Sequence, residues 1–361
     1  MINIDIPGHP YTVRVGEDIT EFGNRLREFS RSERAVLITN DNLWPLYGDR
    51  LLAALAAASF EAAVIKLPDG EEYKKLDTVK DIYERLSSDK IERFTPVVGF
   101  GGGVVGDIAG FAASTYLRGL PFFNIPTSLI AQVDSSVGGK TGVNLECGKN
   151  LVGTFYQPDY VHIDIELLNT LDKRELVSGF AEVIKHAFIK GDEFLPYLEE
   201  NMEAALELDA GVLEHIVSAC VRIKGEIVIE DEKEKGLRRV LNFGHTLGHG
   251  LEASMGYGRI RHGEGIAIGM VAASEIAERV YPDKTPNLLE RIRSLLIRAG
   301  LPVRIPAEAD TEAVLEAMCL DKKVRHGSLE FVLPMGTGKM EPGVAVDKDL
   351  VKEVIKEIYE S

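Results

Sequence analysis

The sequence predicts a chain of two parts, an α/β domain over residues 1–165 and a mostly α-helical domain over residues 166–361. Short apolar runs alternate with helical patterns in the first part, whereas long helical patterns dominate the second. Strands that alternate with helices are typical of a parallel sheet with helices on its faces. The predicted fold class is therefore an α/β N-terminal domain with a mainly parallel, Rossmann-like sheet, followed by an all-α C-terminal domain.

The elements of the first part follow from short runs of β-branched residues and from helical periodicity between them. The predicted strands are Ile2–Ile6, Tyr11–Val15, Ala35–Thr39, Ala62–Leu67, Pro96–Phe100, Phe122–Ile125 and Val161–Ile163. The predicted helices are Leu43–Ala58, Leu76–Leu86 and Val104–Thr115.

The second part is predicted to be helical except for one late hairpin, which Leu329–Leu333 and the turn Gly336–Gly338 indicate. The predicted helices are Lys173–Phe188, Asp192–Glu207, Val212–Ile229, Asn242–Ser254, Gly265–Val280, Leu288–Arg298, Thr311–Met318 and Lys348–Tyr359.

Composition excludes several classes of function. The formal net charge of −16 disfavours nucleic-acid binding, which requires a basic surface. There is no apolar run of membrane-spanning length, and the first residues lack the pattern of a secretory signal. The three cysteines are widely spaced and form no CxxC, as expected of reduced thiols in a cytoplasmic protein. Basic residues within the motifs below favour a small anionic substrate.

A glycine-rich turn links the predicted strand Pro96–Phe100 to the next helix. Gly101, Gly103 and Gly106 fit the G-x-G-x-x-G pattern, in which glycines let the backbone approach a pyrophosphate at a helix N-terminus. The ribose-binding acid about 20 residues on is absent, because no Asp or Glu lies between Asp107 and Asp134. Residues after two other strands are therefore candidates for the sugar contacts: Asn40, Asp41, Asn42, Glu71 and Lys74.

Residues 134–142, DSSVGGKTG, are similar to a nucleotide P-loop but are not one. The P-loop pattern requires glycine five residues before Gly139, where this chain has Asp134. A glycine-rich loop with Lys140 can still bind a phosphate through amides and an ammonium group, and residues 148–150 offer a second such group.

Three histidines within eighteen residues favour a metal site. His245 and His249 lie four apart, on one face of a predicted helix, and His262 follows the Gly-rich turn Met255–Gly258. Glu182, on an apolar helix with Lys185, is a candidate acidic ligand, and His186 is its rival one turn later. A catalytic zinc takes three protein ligands and keeps one position open. From spacing alone, the choice among these histidines stays open.

Taken in order, these segments resemble the 3-dehydroquinate synthase family, from about Ala35 to Gly338. The residues that carry the resemblance are GGGVVGDIAGFAASTYLRG, QVDSSVGGKTGVN, GKNLVGTFYQP, SGFAEVIK, LRRVLNFGHTLGHGLE, RHGE and LDKK. The resemblance implies an NAD-binding α/β domain, a C-terminal domain that binds a divalent metal (zinc, or alternatively cobalt), and a homodimer.

The resemblance also implies a role for individual residues. The implied metal ligands are Glu182, His245 and His262. The implied substrate and catalytic residues are Arg118, Asp134, Lys140, Asn150, Lys185, Lys224, Arg238, Asn242, His249 and Lys322. The implied NAD-binding residues are Asp41, Asn42, Glu71, Lys74, Gly102, Gly103, Asp107, Thr127, Ser128, Lys140, Lys149 and Thr170.

The implied reaction converts 3-deoxy-D-arabino-heptulosonate 7-phosphate to 3-dehydroquinate and phosphate in the shikimate pathway. It proceeds by transient oxidation with NAD, phosphate elimination, re-reduction and intramolecular aldol closure, so the enzyme is a carbon–oxygen lyase. The alternatives are another sugar phosphate cyclase, similar to 2-deoxy-scyllo-inosose synthase, and a metal-dependent glycerol or polyol dehydrogenase. A non-catalytic dinucleotide sensor is a further alternative.

The chain departs from the family pattern at three positions. Asn40 stands where an Asp is usual, Ser128 where a Thr is common, and Arg261 where a Leu is common. We expect the contact to the adenine-side ribose to differ because of Asn40, and the loop beside the metal to be more polar because of Arg261.

Overall fold

A seven-stranded sheet organises the first part of the chain in the computed structural model, which describes residues 1–256, 258–285, 287–321 and 328–359. The described residues form two compact units. The first unit comprises Met1–Leu171 and Lys224–Glu232, and the second comprises Asp172–Ile223 and Lys233–Ser361.

The first unit has nine strands and four helices. Its strands are β1 (Ile2–Ile4), β2 (Tyr11–Val15), β3 (Arg34–Asn40), β4 (Glu61–Leu67), β5 (Val97–Gly101), β6 (Phe122–Pro126), β7 (Lys140–Leu145), β8 (Gly148–Phe155) and β9 (Tyr160–Ile163). Its helices are α1 (Phe22–Phe29), α2 (Trp44–Ala57), α3 (Leu76–Ser88) and α4 (Gly103–Thr115). The prediction did not include α1 or the hairpin β7–β8.

The sheet has the strand order β1-β2-β9-β6-β5-β3-β4, and only the β1–β2 pair is antiparallel. Helices cover both faces, so successive residues of β3 enter two different apolar cores. Ala35 and Leu37 belong to one core with α1 and α2, whereas Val36 and Ile38 belong to the other with α3 and α4. A strand buried on both faces is apolar throughout. The predicted mainly parallel, Rossmann-like sheet is confirmed.

The second unit is mostly helical, as predicted, and includes one hairpin. Its helices are α5 (Lys173–Lys190), α6 (Phe194–Leu206), α7 (Ala210–Glu230), α8 (His245–Met255), α9 (His262–Val280), α10 (Leu288–Arg298), α11 (Thr311–Asp321) and α12 (Lys348–Glu357). The hairpin strands are β10 (Ser328–Pro334) and β11 (Met340–Asp347). The last turns of α7 fall within Lys224–Glu232 and so belong to the first unit.

Helices α8 and α9 pack backbone against backbone, and this contact requires glycine. A Cβ atom at Gly248 would come within 3.0 Å of the Gly265 carbonyl, and a Cβ at Gly269 would collide with the Gly244 carbonyl. Because glycine has no Cβ, the two helices can approach this closely. His245 and His262 begin these helices, so the close packing determines how far apart the two imidazoles lie.

No helix within the described ranges combines the length and the apolar character that crossing a membrane requires.

Candidate active site

Three helices of the second unit bring one carboxylate and two imidazoles together. Glu182 lies on α5, His245 is the first residue of α8, and His262 is the first residue of α9. One ligand atom from each of the three side chains lies within 4.8 Å of the others. The Nε2 atoms of His245 and His262 lie 3.8 and 3.5 Å from Glu182 Oε1. The donor set fits a divalent metal such as zinc, and three ligands leave a position open.

The second nitrogen of each ring has an acceptor that fixes the ring orientation. His245 Nδ1 is 3.2 Å from the Phe243 carbonyl oxygen, and His262 Nδ1 is 2.6 Å from Glu252 Oε1. When Nδ1–H donates to these acceptors, the lone pair of Nε2 points toward Glu182. Metal-binding histidines commonly have such outer partners.

The two imidazoles differ in protonation. Burial, with the nearby Lys185 ammonium, lowers the pKa of His245 well below its ordinary value. Burial also opposes protonation of His262, but Glu182 and Glu252 outweigh it and raise the pKa of His262 to about 10. The two carboxylates therefore favour the protonated form of His262. A divalent cation would replace that proton, because metal ligation requires neutral imidazole.

Side chains and backbone contacts near His262 fix the start of α9 against α5. Glu264 accepts a hydrogen bond from the Arg261 backbone N–H at 2.8 Å, and Arg174 of α5 donates two hydrogen bonds to Glu264. The Gly263 N–H donates to Ser178 Oγ at 3.0 Å. Ser178 lies one turn before Glu182 on α5. His262 is therefore aligned with Glu182 through the backbone as well as through its ring.

Arg261 forms an ion pair with Glu175 at 2.8 Å. The loop beside the three ligands is thus charged at this position, where the family commonly has Leu.

The other predicted residues of the second unit lie on the same elements. His249 is one turn after His245, and its ring centroid lies 5.2 Å from that of His245 and 6.1 Å from that of His262. Lys185 is buried in contact with Glu182, and His186, the rival ligand, is fully buried on α5 outside the group of three. Spacing alone left open whether His249 or His262 joins His245 as a metal ligand. In the structure, ligand atoms of Glu182, His245 and His262 lie within 4.8 Å of one another.

Arg238 is buried and Asn242 ends the same 3-10 turn, Leu237–Asn242, directly before α8. Asn242 Nδ2 donates to Glu234 Oε1 at 2.6 Å. Lys322 lies outside the described residues.

In the first unit, the predicted glycine turn lies at the switch point of the sheet. The chain leaves β3 toward β4 on one side and leaves β5 toward β6 on the other, so a crevice opens between the carboxyl ends of β3 and β5. Gly102 and Gly103 stand at that end of β5, and Asp41 follows β3. A Cβ at Gly103 would lie 3.1 Å from Ser135 Oγ, so the turn is tight. Open α/β sheets bind nucleotides at such points, and these residues fit NAD.

A polar network beside this turn joins four of the predicted residues. Lys74 Nζ donates to Asp107 Oδ2 and to Asn150 Oδ1, both at 2.6 Å. Asn144 Oδ1 accepts from the Asn150 N–H, and its Nδ2 donates to Glu71 at 2.8 Å. Burial lowers the pKa of the Lys74 ammonium, but Asp107 and Glu71 outweigh it and raise that pKa. We call these five residues the Lys74 network.

Asp134 and Lys224 form a second ion pair in the first unit, in which Lys224 is buried and Asp134 is half-buried. Lys224 Nζ lies 2.9 Å from Asp134 Oδ1 and also donates to the Asp134 carbonyl at 2.5 Å. Asp134 lies in a π-helical turn, Ala131–Ser135, rather than in the glycine-rich loop that the sequence predicted. Lys140 begins β7, and Lys149 and Asn150 belong to β8, so the hairpin replaces the remainder of that predicted loop. These residues had too little apolar alternation to indicate strands.

The remaining predicted residues are less connected. Thr127 is buried after β6, where its N–H donates to the Gly101 carbonyl at 3.0 Å, and Ser128 is the nearest neighbour of Gly102. Asn42 donates to Asp69 at 3.0 Å. Tyr47 hydrogen-bonds to Thr170 at 2.9 Å. Arg118 is exposed after α4 with φ of 65°, and no contact among the described residues links it to either ion pair or to the Lys74 network.

Two residues that sequence reasoning missed complete these groups. Glu252 holds His262, and Asn144 links Glu71 to Asn150. Both residues stand inside the quoted family motifs. Glu252 is seven residues after His245, so helix periodicity could have indicated that Glu252 and His245 share one face of α8.

Comparisons with known proteins identify the family. A profile described as "3-dehydroquinate synthase N-terminal" matches residues 64–178, and one described as "3-dehydroquinate synthase C-terminal" matches residues 179–324. A curated 3-dehydroquinate synthase from Nitrosomonas europaea is 44% identical over 345 residues, which cover 96% of this chain and 93% of the relative.

Two solved structures have nearly the same fold. A 2-deoxy-scyllo-inosose synthase complexed with carbaglucose-6-phosphate, NAD+ and Co2+ superimposes with a TM-score of 0.91 at 28% identity, over 99% of both chains. A 2-epi-5-epi-valiolone synthase from Streptomyces hygroscopicus with NAD+ and Zn2+ bound gives a TM-score of 0.88 at 28% identity, over 96% of both chains. Because the two profiles cover most of the sequence and a close relative covers nearly all of it, this chain belongs to the 3-dehydroquinate synthase family.

Proposed function

We propose that this chain is a 3-dehydroquinate synthase that converts 3-deoxy-D-arabino-heptulosonate 7-phosphate to 3-dehydroquinate and phosphate. The observation that carries the proposal is the group of Glu182, His245 and His262, whose ligand atoms lie within 4.8 Å of one another in a chain of this family. Family membership supports a metal- and NAD-dependent lyase, and the substrate is the finer part of the proposal.

We assign Glu182, His245 and His262 to a divalent ion, which we propose to be zinc, with cobalt as a substitute. When bound, the ion supplies a Lewis acid for substrate oxygens, and NAD accepts and returns a hydride. The chain's own contribution is orientation. Glu252 and the Phe243 carbonyl hold the two rings with their Nε2 atoms 3.5 and 3.8 Å from Glu182 Oε1.

We assign NAD binding to residues 1–165 and metal binding and most substrate contacts to residues 166–361. Gly102 and Gly103 give the backbone access to a pyrophosphate, and the N-terminus of α4 favours its negative charge. The other residues that we propose contact NAD are Asp41, Asn42, Glu71, Lys74, Asp107, Thr127, Ser128, Lys140, Lys149 and Thr170.

The proposed substrate residues are cationic or polar, as an anionic sugar phosphate requires. Arg238 is buried, and a guanidinium can bind a carboxylate through two parallel hydrogen bonds. Lys224 forms an ion pair with Asp134 at 2.9 Å. His249 can hold or pass a proton beside the metal ligands. The leaving phosphate is itself a base, so the reaction needs no strong protein base. The other residues that we propose contact the substrate are Arg118, Lys140, Asn150, Lys185, Asn242 and Lys322.

The test is phosphate release from the heptulosonate phosphate, measured with and without a chelator. We expect release that needs catalytic NAD and the metal, without accumulation of NADH. Release from glucose 6-phosphate or sedoheptulose 7-phosphate, but not from the heptulosonate, would indicate another sugar phosphate cyclase. Stoichiometric NADH from a polyol would indicate a dehydrogenase.

The proposal also includes a cytoplasmic homodimer, as the family resemblance implies. Sedimentation equilibrium of the purified chain measures the assembly directly, and a monomer at micromolar concentration contradicts this part alone.

A further inference from the structure

The two histidines of the ligand group have outer partners of different chemistry. His245 Nδ1 faces the carbonyl of Phe243, two residues earlier in the chain, at 3.2 Å. His262 Nδ1 faces a side-chain carboxylate, Glu252, at 2.6 Å. A backbone carbonyl is present whatever the sequence, whereas the carboxylate depends on one residue. The 0.6 Å difference between the two distances is typical of a charged acceptor.

Glu252 lies buried beside His262, on the helix that begins with His245. Its side chain is only 6% exposed, although a buried carboxylate is costly unless it is paired. It lies seven residues, about two helical turns, after His245 on α8. Helix α8 therefore supplies one ligand directly and, on the same face, the carboxylate that holds the ligand from α9.

The charges near the ligands indicate what the carboxylate does. Glu182 contacts Lys185, and both are buried, so the Lys185 ammonium offsets part of the negative charge of Glu182. Glu252 adds a second carboxylate, in contact with His262. Its effect is strong because the surroundings are buried and screen charge poorly.

We propose that Glu252 is the positioning residue that sets metal affinity, by fixing the Nδ1–H form of His262 and by adding a second negative charge beside the ligand group. The inference rests on the proposed metal site. Outer partners of this kind orient the ligand, increase its basicity and typically alter metal affinity 10–100-fold.

The test measures zinc affinity by competition with a chromogenic chelator, without any turnover. The variant Glu252→Gln keeps the shape and an acceptor oxygen but loses the charge, and we expect about tenfold weaker zinc binding. Glu252→Leu loses both, and we expect about 100-fold weaker binding. We also expect the visible absorption bands of the Co2+-loaded protein to change in both variants, because the ligand field at His262 changes.

A folded Glu252→Gln protein that binds zinc within about threefold of the unchanged chain overturns the proposal. Circular dichroism and the thermal midpoint report folding. The control is Glu203→Gln, which removes an acid from an exposed ion pair with Arg298, and we expect unchanged zinc affinity.

A parallel Glu182→Gln variant separates this inference from the proposed function. If Glu182→Gln keeps its zinc, the proposed metal site is wrong, whatever Glu252 does. If Glu182→Gln loses its zinc while Glu252→Gln does not, the site stands and the role of Glu252 is refuted.

Discussion

The ligand group of the second unit and the Lys74 network of the first are both built from interacting polar side chains, but they arrange charge differently. In the Lys74 network, the ammonium lies between Asp107 and Asn150, and Asn144 connects the network to Glu71. In the ligand group, two carboxylates flank His262. A network that holds a cation between acid and amide groups stabilises the fold, whereas converging acids and imidazoles favour binding of a cation.

The largest expected effect is the loss of a metal ligand. Glu182→Gln removes the charge at the centre of the ligand group, so we expect loss of bound zinc after dialysis and about 1000-fold lower turnover. Mass spectrometry measures the bound zinc, and phosphate release measures turnover. The control His215→Gln alters an exposed histidine that stacks on Tyr197, and we expect it to change neither. Retention of zinc by Glu182→Gln would contradict the ligand assignment.

The next largest effect is expected when the Lys74 network is broken. Lys74 is only 5% exposed and the Asp107 side chain is 20% exposed, so Lys74→Met leaves a partly buried carboxylate without its cation, at an expected cost of about 3 kcal/mol in the free energy of unfolding. Urea titration measures this cost. The double variant Lys74→Met/Asp107→Asn should recover part of it, because the unpaired charge is gone. If the double variant is no more stable than Lys74→Met, charge pairing does not explain the network.

A smaller effect is expected at Asn144. Asn144→Ala removes the acceptor of the Asn150 N–H and the donor to Glu71, which should cost about 1–3 kcal/mol of unfolding free energy. Zinc affinity should not change, because all the proposed ligands belong to the other unit. A change in zinc affinity without loss of stability would mean that the Lys74 network acts on the metal site rather than on the stability of the fold.

The smallest effect is expected at Arg261. Arg261→Leu restores the residue that is common in the family and removes the pair with Glu175, in which both side chains are 38% exposed. Exposed pairs contribute about 0–1 kcal/mol. Thermal midpoint and zinc affinity should therefore stay near those of the unchanged chain. A tenfold change in zinc affinity would give Arg261 a role at the ligand group.

The predictable parts of the fold are those with strong local periodicity. The apolar run of β3 indicated a strand buried on both faces, and the structure has it at Arg34–Asn40. The strand β8 was missed because none of its side chains is fully buried, so no alternation appears in its sequence. The short helix α1 was missed for a related reason, since eight residues offer only two turns of pattern.

The candidate site shows where spacing stops being informative. Helix periodicity places His249 on the same face as His245, but it cannot measure the distance from either to His262, which a turn and a second helix separate. That distance depends on contacts between α8 and α9. The family motifs supplied the missing information, and the assignment of Glu182, His245 and His262 to the metal stays a prediction until an ion is observed.

The glycine contact between α8 and α9 has a consequence for how such a protein can change. Gly248 and Gly269 have no side chain, yet they let the first residues of two helices come close enough for one ligand atom of each imidazole to lie within 4.8 Å of the other. A single added methyl group there would push the two helices apart. The spacing of the two imidazoles can therefore be altered at positions that contact neither ring.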